Sequence, residues 1–102
     1  MADWSLLTNH GRLLLAIESE PGLRVRDMAE RLQITERAIA LILRDLRESG
    51  YVTTRREGRR VIYSVVPDKP LRTDMLGHHT VGQLLELLAE AETSSHGSRV
   101  GA

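Results

Sequence analysis

The chain has 102 residues, a formal net charge of zero at pH 7 and no cysteine. This length suits one small domain near the lower limit for burying its own core, and the lack of cysteine excludes disulfides and thiolate metal sites. The N-terminus has no signal-peptide pattern and the apolar runs are too short to cross a bilayer, so we expect a cytoplasmic protein with no membrane partner.

The zero net charge hides an uneven distribution of charged residues. The segment from Arg24 to Arg60 holds ten arginines and six acidic residues, whereas acidic residues outnumber basic ones on both sides of it. Arginine suits bidentate contacts with phosphates and base edges. The central segment is therefore the part of the chain that we expect to meet an anionic partner.

Two helices are predicted in the first third of the chain. Thr8 or Asn9 can cap a helix over residues 8–19, which ends before Pro21-Gly22. A short extended segment is predicted at residues 23–25. The stretch RDMAERL then places its apolar residues on one face, which predicts a brief second helix.

The third helix has the clearest pattern in the sequence. Thr35 is a good N-cap, and an apolar stripe follows it at helical spacing up to Ser49. Gly50 can adopt the left-handed conformation that ends a helix. The pattern therefore predicts a helix over residues 35–49.

The period changes after this helix. The stretches YVTTRR and RRVIYSVV alternate and are rich in β-branched and aromatic residues, with Glu57-Gly58 between them, which predicts a β-hairpin over residues 51–66. A last amphipathic helix is predicted over residues 80–92. Residues 93–102 have no periodicity and are predicted to form a disordered tail after a domain that spans residues 1–92.

This order of elements predicts a mostly α protein with a small β-hairpin (α+β), arranged as a winged helix-turn-helix domain with a C-terminal dimerisation helix. The segment from Leu7 to about Leu88 resembles the winged helix-turn-helix transcription regulators of the MarR and ArsR type. The residues that carry the resemblance are LTNHGRLLLAI, RDMAERLQITERAIALILRDLRESGYV and GRRVIYSV. It implies a regulator that binds double-stranded DNA and lies on the nucleoid when bound.

The resemblance and the geometry of DNA assign roles to two segments, the recognition helix (residues 35–49) and the wing (residues 51–66). A helix fits the major groove, where side chains reach base edges, and a basic hairpin can contact the backbone or the minor groove. The expected DNA contacts are Thr35, Arg37, Ala40, Leu41 and Arg44 in the recognition helix and Arg55, Arg56, Arg59 and Arg60 in the wing.

The last predicted helix has a wide apolar face. A full stripe is formed by Val81, Leu84, Leu85, Leu88 and Ala91, and Leu87 widens that stripe to roughly 160° of the helix circumference. So wide a face suits two neighbours, and the second is most simply the same helix of a twofold-related subunit. The expected homodimer contacts are Trp4, Leu7, Val81, Leu84, Leu85 and Leu88.

Other functions fit parts of the sequence. Ala40 and Leu41 can mark a protein-binding face, which would make the chain a winged-helix interaction module without specific DNA binding. A weaker alternative is a ligand- or metal-responsive switch with its effector between the first and last helices. His78-His79, with Asp74 nearby, suggest a metal site, but adjacent histidines on a helix diverge and a closed site needs about four ligands, so we expect none. The sequence contains no catalytic motif, and we expect neither an enzyme nor a cofactor.

Overall fold

The computed structural model describes residues 4–72, 75 and 77–98, with side chains described up to Ala89. These residues form four helices and a two-stranded antiparallel sheet, in the order α1, α2, α3, β1, β2 and α4. The chain divides into two compact units, one that ends at Val65 and one that begins at Val66. The predicted mostly α fold with a small β-hairpin is therefore confirmed. The predicted domain limits at residues 1–92 and 93–102 stay a prediction.

Side-chain oxygens accept backbone N–H groups at the start of each of the first two helices. α1 spans Asn9–Ser19, and the Thr8 hydroxyl accepts a hydrogen bond from the Gly11 N–H at its start. α2 spans Val25–Leu32, and the Asp27 carboxylate accepts the backbone N–H of Arg24 at 3.0 Å. This bond lowers the pKa of Asp27. Because the cap starts α2 at residue 25, the predicted extended segment at residues 23–25 is too long and forms no strand.

α3 spans Glu36–Glu48 and agrees with the predicted recognition helix. The Thr35 hydroxyl accepts the N–H of Ala38 at 3.0 Å, as the predicted N-cap requires. At the other end Gly50 has a φ of 81°, and its N–H donates to the Arg47 carbonyl. The N–H of Tyr51 donates to the Leu46 carbonyl at 2.7 Å. These two bonds form a Schellman motif, which turns the chain from the helix into the wing.

The wing is a regular hairpin. β1 spans Val52–Glu57 and β2 spans Arg60–Val65, with Glu57 paired to Arg60 at the tip. The turn is therefore Gly58-Arg59 rather than the predicted Glu57-Gly58. Gly58 has a φ of 64°, and the first loop position of a type II′ turn requires such a positive value.

The core of the first unit is aliphatic and comes from all three helices. Its most deeply buried side chains are Leu13, Ile17, Met28 and Ile39. The wing adds two buried strand residues to this core, Val52 in β1 and Ile62 in β2, and the chain has no phenylalanine to fill gaps. Truncation of any of the four deeply buried residues to alanine removes contacts worth about 2 to 5 kcal/mol.

The second unit contains α4, which spans Val81–Ser98. Thr80 and Gln83 form a reciprocal capping box, since each side chain accepts the backbone N–H of the other. The sequence predicts an end at Glu92, six residues before the observed end at Ser98. Local helix propensity is a weak guide to this end, because backbone hydrogen bonds can continue a helix through residues of low propensity. The rest of the predicted tail, residues 99–102, lies outside the described residues.

Candidate nucleic-acid interface

The outward face of α3 carries the predicted base contacts. Its apolar stripe is buried, and the predicted contacts on the opposite side are all exposed: Thr35, Arg37, Ala40, Leu41 and Arg44. Arg37, Leu41 and Arg44 follow one another at spacings of four and three residues and so lie on one face of the helix. Within the described part of the chain neither arginine has a hydrogen-bond or ion-pair partner, so both guanidinium groups are available to an anionic ligand.

An acidic residue on the same helix is held by a distant histidine. The Nε2 atom of His10 lies 2.9 Å from an Asp45 carboxylate oxygen, and both side chains are about half exposed. This contact joins α1 to the outward side of α3 beside the arginines. No local sequence pattern indicates this pair, because 35 residues separate its members.

The strand register divides the wing arginines between its two faces. Arg55 is paired with Ile62 and Glu57 with Arg60, so these residues share the face that carries the buried Ile62. Because neighbouring residues in a strand point to opposite faces, Arg56 lies on the other face with Val61. Arg59 occupies the turn.

Two of the four wing arginines have partners in the protein. The Arg55 guanidinium donates to the Glu57 carboxylate, with a closest distance of 2.7 Å. Arg60 donates through Nη2 to the carbonyl of Gly22, in the connection between α1 and α2. Arg56 and Arg59 have no such partner among the described residues. The four are thus unequal, although all are exposed.

An open groove lies between the α1–α2 connection and the wing turn. Its volume is about 1210 Å³, and charged side chains dominate its lining. Two ion pairs compensate part of this charge, Arg31 with Glu20 and Arg24 with Asp27. Arg60 keeps its charge but donates a hydrogen bond to the Gly22 carbonyl. Of the arginines that line the groove, Arg59 is the one with no partner in the described structure.

The predicted dimer contacts differ in exposure. Val81 and Leu85 are buried in the single chain, whereas Leu84, Leu88 and Leu7 are half-buried. Trp4 is 74% exposed and Leu87 is 61% exposed. Apolar area for a partner therefore comes mainly from the exposed and half-buried members, and the role of all of them in a dimer stays a prediction.

The histidine pair in the second unit lies at the surface. His78 and His79 are exposed, and the ring of His79 lies 3.2 Å from the Gln83 side-chain oxygen. Asp74 lies outside the described residues. Among the residues that are described, no three His, Asp or Glu side chains come together in a group that could hold a metal ion.

A family model decides between the regulator types suggested by the sequence. The model of the MarR family matches residues 4–60, which include α1, the helix-turn-helix and most of the wing. The chain belongs to the MarR family. MarR-family proteins are transcription regulators, and this membership supports the expectation that the chain is not an enzyme. No curated protein sequence matches the chain significantly.

Solved structures of MarR-family regulators have the same fold. A mutant of MepR from S. aureus matches with a TM-score of 0.58 and 17% identity over 94% of this chain. ZitR from Lactococcus lactis, solved in complex with DNA, matches with a TM-score of 0.57 and 18% identity over 95% of this chain. The S. aureus MepR-DNA complex matches with a TM-score of 0.54 and 16% identity over 93%.

This chain spans 65%, 62% and 62% of the lengths of those three chains, respectively. The likeness therefore establishes the winged-helix fold and leaves part of each larger protein without a counterpart.

In the part of the chain that the structure describes, no helix is both long and apolar enough to span a bilayer.

Proposed function

We propose that this MarR-family chain is a cytoplasmic, sequence-specific regulator that binds double-stranded DNA, with its recognition helix in the major groove and its wing on the backbone or in the minor groove. The observation that carries the proposal is a set of four exposed arginines without partners in the described structure. Arg37 and Arg44 lie on the outward face of α3, and Arg56 and Arg59 lie on the wing that follows it directly.

The physical chemistry of these groups favours a phosphate-bearing partner. An unpaired guanidinium binds phosphate oxygens and guanine edges bidentately, and arginines on one outward helix face can reach a groove together. The positive end of the α3 dipole at Thr35 adds to the attraction for phosphates. The ZitR and MepR complexes with DNA support the same use of this fold.

The test is a binding measurement with duplex DNA from the region upstream of the protein's own gene, at several salt concentrations. We expect affinity to fall steeply, with a log–log slope of about −0.9 for each phosphate contacted, because bound arginines release condensed counterions. An unrelated duplex of equal length serves as the control and should bind more weakly. Affinity that ignores salt, or no binding at all, would favour the alternative of a protein-interaction module, in which exposed Leu41 contacts a protein.

We also propose that the chain acts as a homodimer held by α4, with Trp4 and Leu7 beside the contact. Leu87 is exposed, Leu84 and Leu88 are half-buried, and apolar area of this kind in water is a solubility liability. A twofold dimer would require an inverted-repeat operator with half-sites about 34 Å apart, or a multiple of that distance.

Charging the apolar seam tests the dimer. Leu84→Glu or Leu87→Glu should yield monomers in sedimentation velocity, and DNA affinity should fall although no DNA-facing residue has changed. Glu86→Gln, an exposed change on the same helix, should leave the dimer intact. A wild-type chain that remains monomeric at tens of micromolar, an order-of-magnitude threshold for useful association, would refute both the dimer and the inverted repeat.

A further inference from the structure

Leu41 is exceptional among the apolar residues of the recognition helix. The other four large apolar residues of α3, Ile39, Ile42, Leu43 and Leu46, are buried, whereas Leu41 keeps 45% of its surface exposed. All of α3 is described, so this contrast holds for the entire helix. A leucine in this position gives little to the core and places a branched methyl surface on the outward face.

The neighbours of Leu41 restrict what can cover it. Arg37 precedes it by one turn and Arg44 follows it by one turn, and neither guanidinium has a partner in the described structure. Ala40, the adjacent exposed residue, is small and would let the helix approach a surface closely. Leu41 is thus an exposed apolar residue between two arginines without partners. It is complementary to a surface on which an apolar group lies between strong hydrogen-bond acceptors.

We propose that Leu41 is a specificity-determining residue that recognises the 5-methyl group of a pyrimidine in the major groove, an inference that rests on the proposed DNA-binding function. The C5-methyl of thymine is the apolar group that the major groove offers, and a neighbouring G·C pair places the O6 and N7 acceptors that arginine binds on guanine close to it. 5-Methylcytosine presents a methyl group at the same ring position. The chain would therefore respond to cytosine methylation at that base pair.

The helix geometry also fixes where the methyl group lies in the site. Side chains one helical turn apart have Cβ atoms about 5 to 6 Å apart, and successive bases on one strand are separated by about 3.4 Å. The methyl-bearing pyrimidine should thus lie one or two base pairs from the guanine contacted by Arg37 or Arg44.

The experiment removes or adds only the methyl group. After selection of a preferred duplex from a randomised pool, each thymine is replaced singly by uracil and each cytosine singly by 5-methylcytosine, and the Kd is measured for the 102-residue chain. Burial of one methyl group predicts a roughly fourfold loss of affinity for uracil at one position. A cytosine placed there should regain about the same factor on methylation.

Protein variants assign the effect to Leu41. In Leu41→Ala the ratio of the uracil to the thymine Kd should fall from about 4 to about 1. Leu6→Ala, a change at an exposed leucine outside the recognition helix, should keep the wild-type ratio. Since the readout is a ratio, general effects on folding or assembly cancel.

Failure of the proposed DNA binding and failure of the methyl contact give different results in this experiment. If the chain selects no duplex, the proposed DNA-binding function fails and this inference falls with it. If it selects a duplex but no uracil substitution weakens binding as much as twofold, DNA binding stands and the methyl contact is wrong. A methyl effect that persists in Leu41→Ala would also overturn the assignment, and Leu41 would then remain available to a protein partner.

Discussion

The exposed arginines of the recognition helix and of the wing differ in whether they have partners within the protein. In α3, Arg37 and Arg44 are free of partners in the described structure, whereas in the wing Arg55 is paired with Glu57 and Arg60 is bound to the Gly22 carbonyl. The difference follows from how each element is held. α3 is anchored by four buried apolar residues and two caps, so its arginines are not needed for its position.

The wing has far less apolar anchorage. Val52 in β1 and Ile62 in β2 are its buried strand residues, and a two-stranded hairpin is marginally stable by itself. Arg60 adds a polar link from β2 to the α1–α2 connection. The comparison shows that a count of arginines overstates a binding surface, because some of the arginines hold the surface in place.

The largest effect is expected where the free arginines meet base edges. Replacement of Arg37 or Arg44 by alanine should cost about 1 to 3 kcal/mol of binding free energy at one position of the site and relax base preference there, because a bidentate contact with guanine is lost. Selection from a randomised duplex pool measures this. Arg72→Ala is the control, since Arg72 is an exposed arginine outside both the recognition helix and the wing. Unchanged preference in both variants would refute base recognition by these arginines.

The free wing arginines should act without regard to sequence. Arg56→Ala and Arg59→Ala should weaken binding to all duplexes by a similar factor and reduce the magnitude of the log–log salt slope by about 0.9 each. Fluorescence anisotropy titrations at several salt concentrations would measure the slope, and chemical denaturation should show unchanged stability. A slope that stays at the wild-type value in the double variant would mean that the wing does not touch phosphates.

The bound wing arginine should behave in the opposite way. Arg60→Ala removes the link to Gly22 and should lower the free energy of unfolding by about 0.5 to 1.5 kcal/mol, the usual range for a hydrogen bond of this kind. Its effect on the salt slope should be smaller than that of Arg59→Ala. Suppose that Arg60→Ala lowered the log–log salt slope as much as Arg59→Ala and left the free energy of unfolding unchanged. The distinction between bound and free wing arginines would then be refuted.

The sequence predicted those features that depend on neighbours along the chain. The bounds of α3, its Thr35 cap, the turn at Gly50 and the two strands follow from local spacing and residue type, and the structure agrees with them. The shift of the hairpin turn by one residue is a register effect, which depends on cross-strand pairing as well as on the presence of glycine.

The division of the wing arginines could not be predicted in the same way. Arg60 and Gly22 are 38 residues apart, and His10 and Asp45 are 35 apart. No periodicity connects such residues, because they meet only after the helices have packed. All four wing arginines are exposed, as a contact with DNA would require, but exposure alone does not distinguish an arginine without a partner from one that is bound within the protein.

The smallest expected effect concerns the turns that position the two elements. α2 ends in a Schellman motif like that of α3: the Gln33 N–H donates to Glu30 and the Ile34 N–H donates to Ala29, at 3.3 and 3.1 Å. The wing is preceded by Gly50 in the left-handed conformation, whereas the recognition helix is preceded by Gln33, whose φ is 59°. A side chain with a Cβ is disfavoured in this conformation.

Gln33→Gly should therefore raise the free energy of unfolding by up to about 1 kcal/mol, since relief of the left-handed strain outweighs the greater freedom that glycine gives the unfolded chain. Gly50→Ala should lower it by a similar amount for the converse reason. Urea denaturation at constant m-value measures both. Gln33→Ala is the control, because it removes the same polar side chain and retains the Cβ, so it should not stabilise. If Gln33→Ala stabilised the chain as much as Gln33→Gly, the gain would come from loss of the glutamine side chain, and backbone strain before the recognition helix would be refuted.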